Sequence, residues 1–396
     1  MRGARCRPVW LLTLLAGCST ATPTTRVGWN TAQVAAQLRC EGGDVPACGE
    51  LARSLVSAGR DMADIRRGLV LLEGACGRDD MASCAALGDW YRVQDDDPQH
   101  ARASELLRRA CERRVGSGCR ALGDLAFDNG KDVEAAIPWF RAACELNDAE
   151  GCEKLGMLER RRDPEGATAE TAWARGCALG RLSSCYRVGL VQKLNPDTRQ
   201  AGGALLARTC LRGHAPSCLP GAATFAPAIG GPPGCPQAAP LAQRACLAGA
   251  YDGCAILDAC LLQKGPDQVA LARLRKSCDA GISMACFYWA EAQPPAAGPP
   301  PPDSPVAQAY LEACRGHSEA ASSACARSAV LQLERAANSA EAQEPLQALA
   351  ALCESGTAAA CCALVKVYSA GQVVPPDPDR VTHFRGRTCA SCCDGR

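Results

Sequence analysis

The sequence has 396 residues, with 43 basic and 42 acidic side chains and an aromatic content of only 4%. The near balance of charge argues against a nucleic-acid-binding protein, which would carry a basic surface. The low aromatic content argues against one large globular core. The chain also contains 28 cysteines, which any predicted fold has to accommodate.

The N-terminus has the pattern of an export signal. Three arginines within the first seven residues precede an apolar run at 9–16, and Leu-Ala-Gly-Cys follows at 15–18. These last four residues resemble the bacterial lipobox, in which the cysteine is lipidated after cleavage. We expect residues 1–17 to be a lipoprotein signal peptide, Cys18 to carry the lipid, and residues 18–30 to be a tether. The alternative is an ordinary secretory cleavage just beyond.

This signal predicts where the chain works and how it meets the membrane. The apolar run is too short to span a bilayer, so the lipid would be the only membrane attachment. We expect a bacterial cell-envelope protein, an outer-membrane lipoprotein on the periplasmic or the surface face, with secretion as the alternative. Export also favours a disulfide framework over a set of reduced thiols.

The cysteines recur in pairs, and all but one of the pairs are eight residues apart. Successive pairs begin 32 to 39 residues apart, which is the period of a two-helix repeat. The predicted pairs are Cys40/Cys48, Cys76/Cys84, Cys111/Cys119, Cys144/Cys152, Cys177/Cys185, Cys210/Cys218, Cys246/Cys254, Cys278/Cys286, Cys314/Cys325 and Cys353/Cys361.

The residues around each pair predict two helices joined by a tight turn. Apolar residues such as Leu72, Leu107 and Phe140 precede a first cysteine at helical spacing. Three residues after the first cysteine there is often a glycine, or Asn147, which suits the left-handed turn that ends a helix. The second cysteine opens the next helix, and a glycine such as Gly88 follows four residues later. This glycine would let neighbouring helices pack closely. Two antiparallel helices joined so tightly hold the cysteines within disulfide reach.

Segments such as AALGDWYRVQDDDPQHARASELLRRACERRVGSGC and EKLGMLERRRDPEGATAETAWARGCALGRLSSC resemble the Sel1-like repeat (SLR), a relative of the tetratricopeptide repeat, in its cysteine-bridged form. The resemblance covers about Cys40 to Cys393 and is strongest through Gly189. It implies an all-α fold, a right-handed solenoid of αα-hairpins with about ten repeats and disulfide-bridged helix pairs, extending over residues 31–396.

Two proline-rich segments are expected to interrupt the repeats as loops, at 219–240 and at 293–305, because proline cannot continue a helix. Cys260 is a plausible partner for Cys235 in the first of them. The pairing of Cys362, Cys389, Cys392 and Cys393 is left open. With His383, the last three could form a metal site or a redox dithiol, but a local bridge that caps the last repeat is the preferred interpretation.

The resemblance also raises one enzymatic alternative, since some cysteine-rich SLR proteins are described as penicillin-binding or β-lactamase proteins. A serine acyl-enzyme would need Ser-x-x-Lys, and no lysine has a serine three residues before it. A metalloenzyme needs clustered histidines, and His100, His214, His317 and His383 lie in different repeats. We therefore predict no catalytic residue, no cofactor and no metal site.

The predicted function is a binding scaffold, anchored in the envelope, whose concave face presents many side chains to a protein or peptide partner. No nucleic acid is expected to bind. The aromatic groups Trp90–Tyr91 and Phe287–Tyr288–Trp289 are candidates for lining a peptide groove, but a place in the helical core is the preferred interpretation. A purely structural envelope protein remains a third interpretation.

Overall fold

The structure is a computed structural model that describes residues 29–58, 61–94, 97–128, 132–195, 197–226, 234–294, 298–316, 320–371 and 373–387. The predicted signal peptide and Cys18 lie outside the described residues, as do His317, Cys389, Cys392 and Cys393. Throughout the described residues the chain is helical and contains no strand. It divides between Leu146 and Asn147 into two compact units, unit 1 before this point and unit 2 after it.

Unit 1 is a series of consecutive antiparallel helices, and buried leucines such as Leu51, Leu72 and Leu107 form its core. Its helices are α1 (Thr31–Glu41), α2 (Val45–Ala58), α3 (Met62–Cys76), α4 (Met81–Arg92), α5 (Asp97–Glu112), α6 (Gly116–Asp128) and α7 (Val133–Glu145).

Unit 2 is also built of consecutive helices joined by turns and loops. Its helices are α8 (Ala149–Arg162), α9 (Thr168–Ala178), α10 (Leu182–Leu194), α11 (Arg199–Leu211), α12 (Cys218–Phe225), α13 (Cys235–Leu247), α14 (Tyr251–Leu262), α15 (Gln268–Asp279), α16 (Ser283–Glu291), α17 (Pro305–Arg315), α18 (Ala321–Leu333), α19 (Ser339–Glu354), α20 (Ala358–Ala370) and α21 (Pro378–Gly386). A short 3-10 helix, Ala215–Ser217, precedes α12.

Disulfides close the short turn that follows each of several odd-numbered helices. We call these the bridged turns. The Cα atoms of the two bonded cysteines lie 4.5 to 4.8 Å apart, within the range that a disulfide requires. The pairs are those expected from the spacing: Cys40–Cys48, Cys76–Cys84, Cys111–Cys119, Cys177–Cys185, Cys210–Cys218, Cys246–Cys254, Cys278–Cys286, Cys314–Cys325 and Cys353–Cys361. Cys144 and Cys152 are also disulfide-bonded.

A further disulfide joins Cys235 at the start of α13 to Cys260 in α14, with Cα atoms 5.4 Å apart. It confirms the partner expected for Cys235. Several bridges are part of the apolar core of unit 2, where Cys210, Cys260 and Cys286 lie among buried alanines. Disulfides in this number are typical of chains that fold in an oxidising compartment, outside the cytosol.

The bridged turns end their helices in the left-handed conformation that the sequence predicted. Gly43, Gly180 and Gly213 have φ values of 94°, 94° and 105°, and Asn147 has a φ of 62°. The same position is also left-handed in two turns where the residue gave no signal, at Asp79 (φ 62°) and Arg114 (φ 63°). Non-glycine residues adopt the left-handed conformation only at an energetic cost. Asp79 and Arg114 adopt it because the backbone geometry that all these turns share requires it at this position.

The glycine four residues after a second cysteine makes room for a large side chain of the next helix. A Cβ atom at Gly88 would stand 2.8 Å from Leu107, and one at Gly123 would stand 2.7 Å from Phe140. As a result α4 packs closely on α5, and α6 on α7, more closely than the disulfide-linked pairs α3 with α4 and α5 with α6. The bridges of unit 1 therefore reinforce the junctions where the helices contact each other less.

Two details of the predicted helix boundaries are wrong. The second cysteine does not open its helix in most repeats: α4 begins three residues before Cys84 and α6 three residues before Cys119. The segment 219–240 is not a loop throughout, because its first residues belong to α12 and its last to α13. Pro236 lies in the first turn of α13, where a proline costs no intrahelical hydrogen bond.

Candidate functional site

The even-numbered helices form an inner row along each unit. In unit 1, α2 packs on α4 and α4 on α6; in unit 2, the row runs from α12 through α14, α16 and α18 to α20, each helix in contact with its neighbours in the row. Odd-numbered helices make few such contacts. Helices that approach their counterparts in the next repeat line the inside of a helical array, so the inner row carries the surface on which repeat proteins present side chains.

Ion pairs connect consecutive repeats through residues in even-numbered helices or at their N-caps. Each joins an arginine to a carboxylate of the preceding or following repeat, so the pairs fix the register between repeats. The N to O distances are 3.8 Å for Arg53–Asp80, 2.9 Å for Arg120–Asp89, 2.5 Å for Arg181–Glu153 and 3.1 Å for Arg327–Glu291.

An open groove of about 410 Å³ crosses the inner row of unit 1. Its lining comes from α2, α4 and α6, so three consecutive repeats build one surface. The groove has an apolar part and a charged part, as a site for a peptide side chain and its polar neighbours requires. The apolar part is lined by Val56, Ala82, Ala85, Ala86, Trp90 and Val93, and the polar part by Arg53, Ser57, Asp89, Arg92, Ser117 and Arg120.

Asp89 organises the charged side of the groove. Nε of Arg92 and Nη2 of Arg120 each donate a hydrogen bond to it, at 2.9 Å, and Arg120 also bonds Asp124 at 2.8 Å. Burial tends to raise the pKa of Asp89, but the guanidinium groups of Arg120 and Arg92 outweigh this and hold the pKa below its usual value. The network keeps Asp89 ionised and fixes the two arginines along the wall of the groove.

Arg53 differs from the other arginines of the groove. Its Nη1 atom makes no hydrogen bond within the described residues, and its nearest carboxylate oxygen, on Asp80, is 3.8 Å away. A guanidinium has five donors, and a carboxylate is the partner that satisfies them best. Nη1 itself is buried, but the Arg53 side chain as a whole is 38% exposed, so Arg53 adds positive charge to the wall of the groove.

The structure places the predicted binding aromatics in different environments. Trp90 lines the groove. Tyr91 instead donates a hydrogen bond to Glu73 at 3.0 Å, and the guanidinium of Arg102 covers its ring. In unit 2, Phe287 and Tyr288 are only 4% and 7% exposed and belong to the core, as the preferred interpretation has it; the weaker candidate role, lining a groove, is wrong for these two.

Trp289 and the histidines complete the list of sequence candidates. Trp289 is half-buried beneath Arg275, whose guanidinium carbon lies 4.4 Å from the ring centroid. Nδ1 of His214 lies 2.8 Å from Oγ of the buried Ser217, and burial lowers the pKa of this imidazole. His100 lies on α5 and His383 on α21. The described residues contain no group of three or more His, Cys, Asp and Glu side chains suited to hold a metal ion.

Sequence reasoning missed the role of the arginine two residues before a first cysteine. Arg109 approaches Asp79 at 3.6 Å, and Arg175 donates to Asn147 at 3.0 Å, so each contacts the left-handed residue of the preceding bridged turn. The recurrence of arginine at this position was a usable signal.

Within the described residues, no helix combines the length and the apolar character needed to cross a membrane.

No protein-family model matches the sequence, and no curated protein matches it. Solved structures do. A protective antigen present in uropathogenic Escherichia coli strains, described as displaying an SLR fold, is 18% identical with a TM-score of 0.52, over 90% of this chain and 79% of that chain. A Sel1 repeat protein from Oxalobacter formigenes is 15% identical with a TM-score of 0.44, over 55% of this chain and 94% of that chain. The likeness to the first and the bridged turns together show that this chain has the SLR fold in a disulfide-bridged form.

Proposed function

We propose that the protein is an exported, lipid-anchored repeat scaffold that binds a protein or peptide partner of the cell envelope through the inner row of its helices. The observation that carries this proposal is the groove across α2, α4 and α6. Three repeats contribute to it, and a repeat array presents such a surface with little loss of conformational entropy on binding.

The lining of the groove specifies the chemistry of the partner. Three of the six residues of its apolar part are alanines, whose small side chains leave space for one aliphatic side chain beside Trp90. Its charged wall includes Arg53, whose side chain is 38% exposed. The groove therefore fits a peptide segment in which an aliphatic residue lies next to a carboxylate.

The export signal and the disulfides support the envelope location. The bridged turns need an oxidising compartment to form, and a chain lipidated at Cys18 would be held at a membrane surface through its tether. Under this proposal the anchor sets the location and the inner row selects the partner. No residue of the groove is assigned a catalytic role.

Site-specific photo-crosslinking in the producing cell tests the proposal. A photoreactive residue at Ser57 or Ser117 would lie in the groove, whereas one at Ala101 or Arg108 would lie on the exposed face of α5. We expect discrete crosslinked species from the groove positions alone.

A matched pair of substitutions completes that experiment. Ala86→Leu fills the groove, and Ala101→Leu adds the same atoms on the exposed face of α5. Crosslinking from Ser57 should be lost with Ala86→Leu and kept with Ala101→Leu. Equal yields from groove and control positions, or crosslinks that survive Ala86→Leu, would show that the groove does not hold the partner.

A further inference from the structure

Three consecutive bridged turns of unit 2 expose large apolar side chains. Leu211 at the end of α11 is 54% exposed, Leu247 at the end of α13 is 81% exposed, and Tyr251 at the start of α14 is 68% exposed. Leu179, in the turn after α9, is 38% exposed. Large apolar groups clustered on the surface of a folded protein mark a place where it contacts a partner or a membrane.

These turns lie side by side. Nη2 of Arg212 is 4.0 Å from the position that a Cβ atom of Gly180 would take, so the turn after α11 lies against the turn after α9. Nη1 of Arg244 donates to the carbonyl oxygen of Cys210 at 3.4 Å, so the end of α13 lies against the turn after α11. The exposed apolar side chains therefore belong to one continuous edge of unit 2.

The charge of this edge is mainly positive, although one of its arginines, Arg181, is paired with Glu153 of α8. The segments 175–185, 208–218 and 244–254 together contain five arginines and one acidic residue, Asp252. Asp252 is half-buried, and desolvation raises its pKa. Arg208 and Arg212 are exposed beside Leu211. The edge is thus complementary to an anionic surface.

We infer that this basic apolar edge, defined by Leu179, Leu211, Leu247, Tyr251, Arg208 and Arg212, rests on the surface of an anionic phospholipid bilayer. The leucine and tyrosine side chains enter the interface, and the arginines lie at the level of the phosphate groups. The apolar groups stand on three turns, one repeat apart, and Leu247 and Tyr251 share one of these turns. A bilayer accepts such isolated protrusions without a matching shape, whereas a protein partner would need a pocket for each of them.

The bridged turns make the edge suitable for this contact. Their disulfides hold the protruding side chains on short, fixed connections, so little ordering is required when they meet the membrane. The inference depends on the proposed envelope location only for access to lipid. Its test uses purified components and does not depend on a peptide partner. The proposal about the groove and the inference about the edge can therefore be refuted separately.

Vesicle co-sedimentation of the full chain carrying Cys18→Ala, which removes any acyl group, measures the contact. Vesicles containing phosphatidylglycerol are compared with vesicles of phosphatidylcholine. The double variant Leu211→Asn with Leu247→Asn alters the edge, and Val70→Asn with Val269→Asn removes two exposed valine side chains elsewhere. We expect the edge variant to bind phosphatidylglycerol vesicles at least about tenfold more weakly and the control variant to bind unchanged.

Hydrogen exchange identifies the surface that makes the contact. Added phosphatidylglycerol vesicles should slow exchange in the turns after α9, α11 and α13, and Arg208→Gln with Arg212→Gln should weaken binding and reduce its salt dependence. Equal binding by the edge and control variants, equal binding to phosphatidylcholine, or protection confined to other segments would each overturn the inference. Absence of vesicle binding would do so as well and would direct the search to an acidic protein surface.

Discussion

A Cβ atom built on Gly156 would stand 2.4 Å from Nε1 of Trp173, so the indole of α9 occupies the space that a methyl group on α8 would need. The same indole donates a hydrogen bond to the carbonyl oxygen of Glu153 at 3.3 Å and is 4% exposed. One glycine therefore allows the largest side chain of this helix pair to be both buried and hydrogen-bonded.

The first prediction concerns Gly156→Ala. The added methyl group would displace Trp173, and overpacking of this kind costs about 1 to 3 kcal/mol, against a gain in helix propensity of at most about 1 kcal/mol. We expect faster hydrogen exchange in α8 and α9. Gly74→Ala is the matched control, because no atom lies within 4 Å of a Cβ at that position of α3. The first substitution should destabilise its helix pair and the second should not. Equal effects would show that the close approach is unimportant.

A second prediction concerns the local action of the bridged turns. The disulfide Cys177–Cys185 closes eight residues, for which the loss of chain entropy corresponds to about 2.5 kcal/mol. Replacing both cysteines with alanine should loosen α9 and α10 by about that amount. Because repeats couple mainly to their neighbours, α2 and α3 should keep their exchange rates. Uniform loosening along the whole chain would contradict the local role.

The bridge between Cys235 and Cys260 should matter more, because it closes 25 residues. The same entropy estimate gives about 3.5 kcal/mol for a loop of this length. We expect Cys235→Ala with Cys260→Ala to loosen α13 and α14 more than the removal of Cys246 and Cys254, which lie in the same two helices. Hydrogen exchange of the two double variants, measured side by side, provides the comparison.

The fourth prediction concerns acid. The pKa of Asp89 is lower in the folded chain than in the unfolded chain, so its ionised form stabilises the fold. This contribution is complete above the unfolded pKa of about 3.9 and is lost as the pH falls through the lower folded-state pKa. We expect hydrogen exchange at the junction of α4 and α6 to rise over that acidic range. The variant Asp89→Asn should be less stable at neutral pH and should lose this dependence. An unchanged acid profile in the variant would mean that other carboxylates dominate.

The fifth prediction concerns the anchor. If Cys18 is lipidated, the wild-type chain should incorporate labelled palmitate and fractionate with membranes, whereas Cys18→Ala should not be labelled. Loss of the label together with weaker membrane association is the expected result. Efficient release of the wild-type chain into the soluble fraction would show that residues 1–17 act as an ordinary secretory signal.

The sequence by itself determined the repeat, the helix pairs and most of the bridges, because these are local features. A disulfide between residues eight apart, a left-handed residue such as Gly43 and a buried Leu72 one helical turn before a cysteine all depend on neighbours in the chain. Their physical causes are short-range, so the order of residues is enough to reveal them.

Only the tertiary structure decided which surface each side chain reaches. Trp90 and Phe287 are both aromatic residues of inner-row helices, yet one lines an open groove and the other is buried. The pairing of Asp89 with Arg120, 31 residues later, depends on how α4 and α6 approach each other. Such contacts between repeats are set by the packing of whole helices, which no local pattern encodes.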